Sequence, residues 1–208
     1  MMKPRLCLVG VMGGMHGNYI PTAGLTLSRL LTQAGYPVHA VSASQQRLSR
    51  LIDTIATMTR RRRMTDLVLL DVYGGLSFVV EDIVSRLCKH FRLPLIMTLR
   101  GGSLPDLIRT YPRWYRRGLQ RASQLVAPSP FLAQMIGETF GWHVQVIPNV
   151  INLQHYTYQK RCQVGPKLFW MRSFHDIYHP ELAIEVLARL QGIHPQAQLI
   201  MGEKIKVV

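Results

Sequence analysis

The sequence predicts an α/β protein built on a doubly wound parallel sheet, and three observations carry that prediction. Short apolar runs alternate with segments of helical periodicity along nearly the whole chain. One of them, 66–72 "DLVLLDV", is almost continuously apolar, as a parallel strand covered on both faces must be. Glycines gather where strands hand over to helices, at 13–17, 73–75 and 98–103, the end of the sheet where doubly wound folds bind ligands. The 208 residues allow one full domain and part of another, and a hydrophobic share of 48% with 17% charged residues fits a folded core.

Taken in order, residues 5–11 read as the first strand, entering the glycine loop "GVMGGMHGNYIPTAG". Such a loop serves one of two ends: bringing backbone N–H groups close to a ligand, or turning where a Cβ would clash. A helix over 22–34 follows, with Thr22 as N-cap, Leu27, Leu30 and Leu31 on one face, and Gly35 at its end. Residues 37–42 read as the second strand. The segment 45–63 places Leu48, Leu51, Ile52, Ile55 and Met58 at helical spacing, and Arg60–Arg63 fall at the negative end of its dipole. Strand 66–72, helix 77–91 and strand 94–99 come next, then a basic segment over 107–123 with no element assigned. A strand at 124–128, a helix from near Ser129 and a strand at 143–148 complete the first pattern. Residues 150–166 are a polar break, after which strand 167–171, helix 180–191 and strand 198–202 restart it. The predicted organisation is a first domain over 1–150, a linker over 151–166 and the start of a second domain over 167–208.

The formal net charge is +14 and the isoelectric point about 10.4, a balance that favours phosphates, nucleic acid or an acidic membrane surface. Arg109, Arg113, Arg116, Arg117 and Arg121 interleave with Tyr111, Trp114 and Tyr115, and together with Arg60–Arg63 could form a cationic patch suited to an anionic leaflet. The other reading of these residues is a solvated helix face. No nucleic-acid motif accompanies the charge, so nucleic-acid binding is the weaker alternative. Cys7, Cys88 and Cys162 stand in no metal-like spacing and read as reduced thiols of a cytoplasmic protein. The basic, apolar start imitates a signal peptide but has a poor cleavage site, and no uncharged run reaches the ~18 residues of a membrane span.

Five segments resemble retaining glycosyltransferases of family 4. "VIPNVINLQHY" (146–156) resembles that family's hinge signature, "TLRGGSLPDL" (98–107) its fourth-strand segment, and "RASQLVAPSPFLAQMI" (121–136) its fifth. The opening glycine loop with its helix, and "KLFWMRSFHDIYHPELAIEVLARLQGIHPQAQLIMG" (167–202), are similar to the starts of the two domains. The resemblance spans residues 4–202. It implies a GT-B fold, two Rossmann-like domains of which the second is incomplete here. It also implies transfer of a sugar from a nucleotide-diphosphate sugar to a glycan or lipid-linked acceptor, without metal or other cofactor. Basic side chains and helix N-termini would then stabilise the departing diphosphate.

On that resemblance Gly13, Gly14 and His16 line the cleft floor. Arg100 stands where many relatives carry histidine and is assigned to positioning an anion or hydroxyl, since arginine is no base at neutral pH. Gly101 and Gly102 border the same site, and Asn149 is expected to fix the hinge by bonding backbone. Arg172 is kept as a phosphate contact, whereas the lysine expected five residues later is Ile177. The paired glutamates that would grip the donor are missing. The chain alone is therefore expected to lack transferase activity, as a truncated enzyme or as a subunit whose partner chain completes the donor domain.

Overall fold

Six strands of the first part of the chain pair in parallel in the order β2-β1-β3-β4-β5-β6, the Rossmann-like α/β architecture that the alternation predicts. A computed structural model describes residues 2–10, 22–41, 47–151, 153, 157–160, 162 and 165–202. In it the strands are β1 (Leu6–Val9), β2 (Val38–Val41), β3 (Leu67–Val72), β4 (Leu95–Leu99), β5 (Gln124–Ala127) and β6 (Val144–Val146). The helices between them are α1 (Ala23–Gln33), α2 (Arg47–Arg61), α3 (Phe78–Phe91), α4 (Leu104–Thr110), α5 (Pro112–Leu119) and α6 (Pro130–Phe140). The chain steps from β1 to β2 on one side and returns to β3 on the other, so a switch point lies between β1 and β3.

Alternation along each strand divides the core into two layers. Cys7 and Val9 of β1, with Val68, Leu70 and Val72 of β3 and Leu95, Met97 and Leu99 of β4, meet side chains of α2 to α6. Leu6 and Leu8 point the other way and pack with Leu25 of α1, Leu67 and Leu69. Caps fix the helix starts: the Thr22 hydroxyl accepts from the Leu25 N–H at 3.3 Å, and the Ser129 hydroxyl from the Leu132 N–H at 3.4 Å.

The basic segment after β4 is helical, a point at which the structure goes beyond the sequence reading. Pro105 and Pro112 stand in the first turns of α4 and α5, where a missing N–H costs nothing. Ile108, Tyr115, Gly118 and Leu119 are buried while Arg109, Arg113, Arg116 and Arg117 stay in water. Tyr115 stacks on Phe78 of α3 at 3.9 Å between ring centroids. The buried Asp82 then ties α5 and the turn after it to α3: it accepts from the exposed Arg86 at 2.9 Å, from Arg121, and from the Trp114 ring N–H at 3.4 Å.

The chain divides into two compact units, residues 1–153 and 154–208. In the second, β7 (Lys167–Met171) and β8 (Gln198–Gly202) pair in parallel and are joined through α7 (Pro180–Gln191). Ala197 is the one buried residue among those described in this unit. Phe169 and Ile200, cross-strand partners on one face of the pair, are 57% and 60% exposed. Two strands and a helix bury too little apolar surface to offset their ordering entropy within that unit. Hydrogen exchange should therefore separate the units: amides of β7 and β8 are expected to exchange orders of magnitude faster than those of β3 and β4. Equal protection in both sheets would contradict this reading.

Candidate functional site

Parallel register brings the carboxyl ends of β1, β3, β4 and β6 to the same edge of the sheet, and the polar groups of the first unit converge there. Gly10 directly follows β1, Asp71 is the next-to-last residue of β3, Arg100 follows β4 and Asn149 comes shortly after β6. Arg100 donates from Nε to Asp71 Oδ1 at 2.6 Å and from Nη1 to Asn149 Oδ1. Both partners of the ion pair keep only 10% side-chain exposure. Its backbone N–H also bonds the Val72 carbonyl at 2.8 Å, which fixes the root of the side chain. Burial pushes the Asp71 carboxyl above its ordinary value, and the charge and hydrogen bond of Arg100 pull it back. A buried pair of this kind holds together because neither charge can be left alone.

Two loops frame the pair. The loop after β3, Tyr73–Gly75, carries consecutive glycines with φ of +80° and +65°, a conformation that side chains with a Cβ rarely adopt. Three groups hold it. The Tyr73 N–H donates to Glu81 Oε1 at 3.0 Å, the Ser77 hydroxyl bonds the same oxygen and the Gly74 carbonyl, and the Gly75 N–H donates to the Tyr115 hydroxyl at 3.2 Å. The loop after β4 lies directly against it, since a Cβ on Gly101 would fall 1.9 Å from the Tyr73 carbonyl oxygen. Gly101 thus has a steric reason to be glycine, whereas Gly102 is exposed and has open space where its Cβ would be.

Glu81 is 5% exposed, and its Oε2 has no hydrogen-bond partner among the described residues. Burial pushes this carboxyl up to about 7, against the pull of the Tyr73 N–H, the Ser77 hydroxyl and the Gly74 N–H, while the Asp71 charge adds to the rise.

The structure thus brings Arg100, Gly101, Gly102 and Asn149 together at one edge. Among the described residues, the Asn149 side chain accepts from the Arg100 guanidinium. Arg100 is less free than expected, because Asp71 and Asn149 engage two of its nitrogens. Gly13, Gly14 and His16 lie outside the described residues. Arg172 belongs to the second unit, just after β7, with its guanidinium 5.1 Å from the centre of the Tyr178 ring. The same unit has a mostly apolar groove of about 280 Å³ lined by Leu168, Trp170, Leu182 and Leu199, with Tyr178 and His179 at it as well. Among the described residues no three His, Cys, Asp or Glu gather to hold a metal, and no helix is long and apolar enough to cross a membrane.

No family model matches the chain, and no curated protein matches it significantly. A solved structure does: an α-glucosyltransferase in complex with UDP and a 13-mer DNA containing a HMU base. The TM-score is 0.50 at 12% identity, over 98% of this chain and 68% of that one. The likeness is one of fold. This chain therefore shares a Rossmann-like α/β fold with that enzyme.

Sequence reasoning set the Tyr73–Gly75 turn at this edge and Tyr115 in the basic segment, but gave no site role to Asp71 or Glu81. Asp71 did leave a signal, since it is the one acid in an otherwise apolar strand, whereas Glu81 stands beside Asp82 in a helix of mixed composition.

Two predictions follow from this geometry. Gly101→Ala should cost about 3 kcal/mol in urea denaturation, because backbone meets the new methyl, while Gly102→Ala stays within about 0.5 kcal/mol of wild type. Asp71→Asn and Arg100→Ala should each cost about 3–5 kcal/mol, and the double variant clearly less than their sum. Additive losses would show that the pair does not act as a unit.

Proposed function

We propose that this chain is a glycosyltransferase-like protein of the family 4 type, using a nucleotide-diphosphate sugar as donor and a glycan or lipid-linked molecule as acceptor. The observation that carries this reading is the convergence of Arg100, Gly101, Gly102 and Asn149 at the carboxyl edge of a parallel sheet. In such folds ligands bind in the crevice beyond the strand ends. The likeness in fold to an enzyme crystallised with UDP supports the choice of donor.

In this reading the first unit receives the acceptor. Arg100, held by Asp71 and Asn149, presents its remaining N–H groups as a fixed donor set to an anionic or hydroxyl-bearing group. Preorganised donors are effective because they need not reorient as charge develops. The second unit carries Arg172 as a contact for the diphosphate, whose negative charge grows as the sugar leaves. Isothermal titration with a panel of nucleotide-diphosphate sugars tests the donor assignment. At least one should bind, and Arg172→Ala should weaken it about tenfold, the effect of losing one charge-assisted hydrogen bond. Failure of the whole panel to bind would contradict the reading.

The exposed arginines of α4 and α5, with Arg60–Arg63, favour an acceptor that is anionic or sits on an anionic surface. A second reading takes nucleic acid as the acceptor. It has the net charge of +14 in its favour, and the enzyme of similar fold was crystallised with DNA. Sedimentation with anionic vesicles and salt-dependent binding to random duplex separate the two. Vesicle pelleting that requires anionic lipid supports the first; steeply salt-dependent duplex binding without pelleting supports the second.

A further inference from the structure

Glu81 is a carboxyl in an unusual position. It stands in the first turn of α3, where the unsatisfied helix N–H groups and the dipole favour an anion. Loops between a strand and a helix N-terminus often receive a phosphate for that reason. Here the chain's own carboxyl fills the place, receiving the Tyr73 N–H and the Ser77 hydroxyl on Oε1. Its second oxygen is sealed from solvent with no hydrogen-bond partner among the described residues. A carboxylate left so is costly to keep charged; a carboxylic acid is much less so.

We propose that Glu81 is a positioning residue for the floor of the candidate site, a buried acid whose proton keeps the Tyr73–Gly75 loop closed and whose ionisation loosens it.

Burial and the charged groups around it favour that behaviour, against the Tyr73 N–H, the Ser77 hydroxyl and the Gly74 N–H, which favour the carboxylate. From β3, Asp71 presents a negative charge, and from the loop after it Tyr73 presents a phenol; after β4, Arg100 is committed to Asp71. From α5, Tyr115 offers a hydroxyl that the Gly75 N–H already occupies. On α3 itself, Asp82 pairs with Arg86 and Arg121 instead of facing the loop. Thus no cation is paired with Glu81 among the described residues, and its nearest charged neighbour in effect is another acid.

The loop is built to respond. Gly74 and Gly75 hold left-handed backbone, a conformation kept only while the groups bonded to the loop hold it. Tyr73, between them and β3, lies against Gly101, so movement of the loop reaches the segment that carries Arg100.

The direction follows from linkage. An acid whose pKa is raised in the closed state, from an ordinary 4.5 to about 7, binds its proton more tightly there than when the loop opens and exposes it. The closed state is therefore most favoured below the ordinary carboxyl range, loses ground as the pH rises towards 7, and changes no further above it. This inference does not depend on the donor or acceptor assigned above.

Hydrogen exchange of the full chain between pH 5 and 8, corrected for intrinsic rates, tests it. Relative to the Val68 and Met97 amides, the opening constants of the Tyr73 and Gly74 amides should rise roughly a hundredfold in wild type and stay flat in Glu81→Gln. A flat wild-type profile, or an equal rise in the variant, would overturn the proposal. If the variant fails to fold, the carboxyl carbon resonance of Glu81 in the wild-type chain decides. A titration midpoint near 7 supports the clamp, and one between about 4 and 5 overturns it.

Discussion

A carboxylate and a guanidinium, both almost out of water, meet at the carboxyl edge of the sheet and fix what lies around them. Asp71 and Arg100 are 29 residues apart in the chain, and Asn149 joins them from 49 residues beyond Arg100. Each comes from the end of a different strand, so the cluster exists only if β3, β4 and β6 hold their registers. A slip of one residue would turn Asp71 to the other face of the sheet and leave a buried cation without its partner. Gly10 belongs to the same constraint, since a Cβ there would come within 3.2 Å of Asp71. Polar chemistry at this edge thus depends on the apolar core beneath it, and the core's alignment is in turn enforced by the pair.

The two loops that overlie the pair show how close packing makes a site rigid. Tyr73 and Gly101 meet backbone to backbone, with Tyr115, stacked on Phe78, supporting the loop from below. The Phe78 ring in turn needs Gly118, where a Cβ would stand 2.7 Å from it. Rigid support of this kind is what lets a donor group act without reorganising. Among the described residues of the second unit the sheet is two strands wide, and Phe169, Phe174, Ile184 and Ile200 are exposed. Different physics therefore governs the two parts, packing and paired charge in one and unburied apolar surface in the other.

Much of the fold was legible in the sequence because its signals are local. Continuous apolar runs marked β3 and β4, and β7, α7 and β8 begin and end where the pattern places them. Thr22 capped α1 as its type and position suggest. The helices α4 and α5 were hidden because four arginines and two prolines obscure a buried set as small as Ile108, Tyr115 and Leu119. At the site, Arg100, Gly101, Gly102 and Asn149 could be nominated from short motifs, whereas their partners could not. No local pattern says that Asp71 will face Arg100, or that Glu81 will hold the N–H of a residue eight positions earlier. These pairings are made by the sheet, and only the sheet reveals them.

The measurement that tests the central claim most directly follows the Arg100 side-chain Nε–Hε resonance in ¹⁵N-labelled protein during titration with a nucleotide-diphosphate sugar and a glycan acceptor. A ligand site at this edge predicts a signal already protected in the free protein by Asp71. It should shift on addition of ligand together with the amides of Gly101, Gly102 and Asn149. Saturable perturbations that leave all four untouched would place the ligand elsewhere and contradict the account.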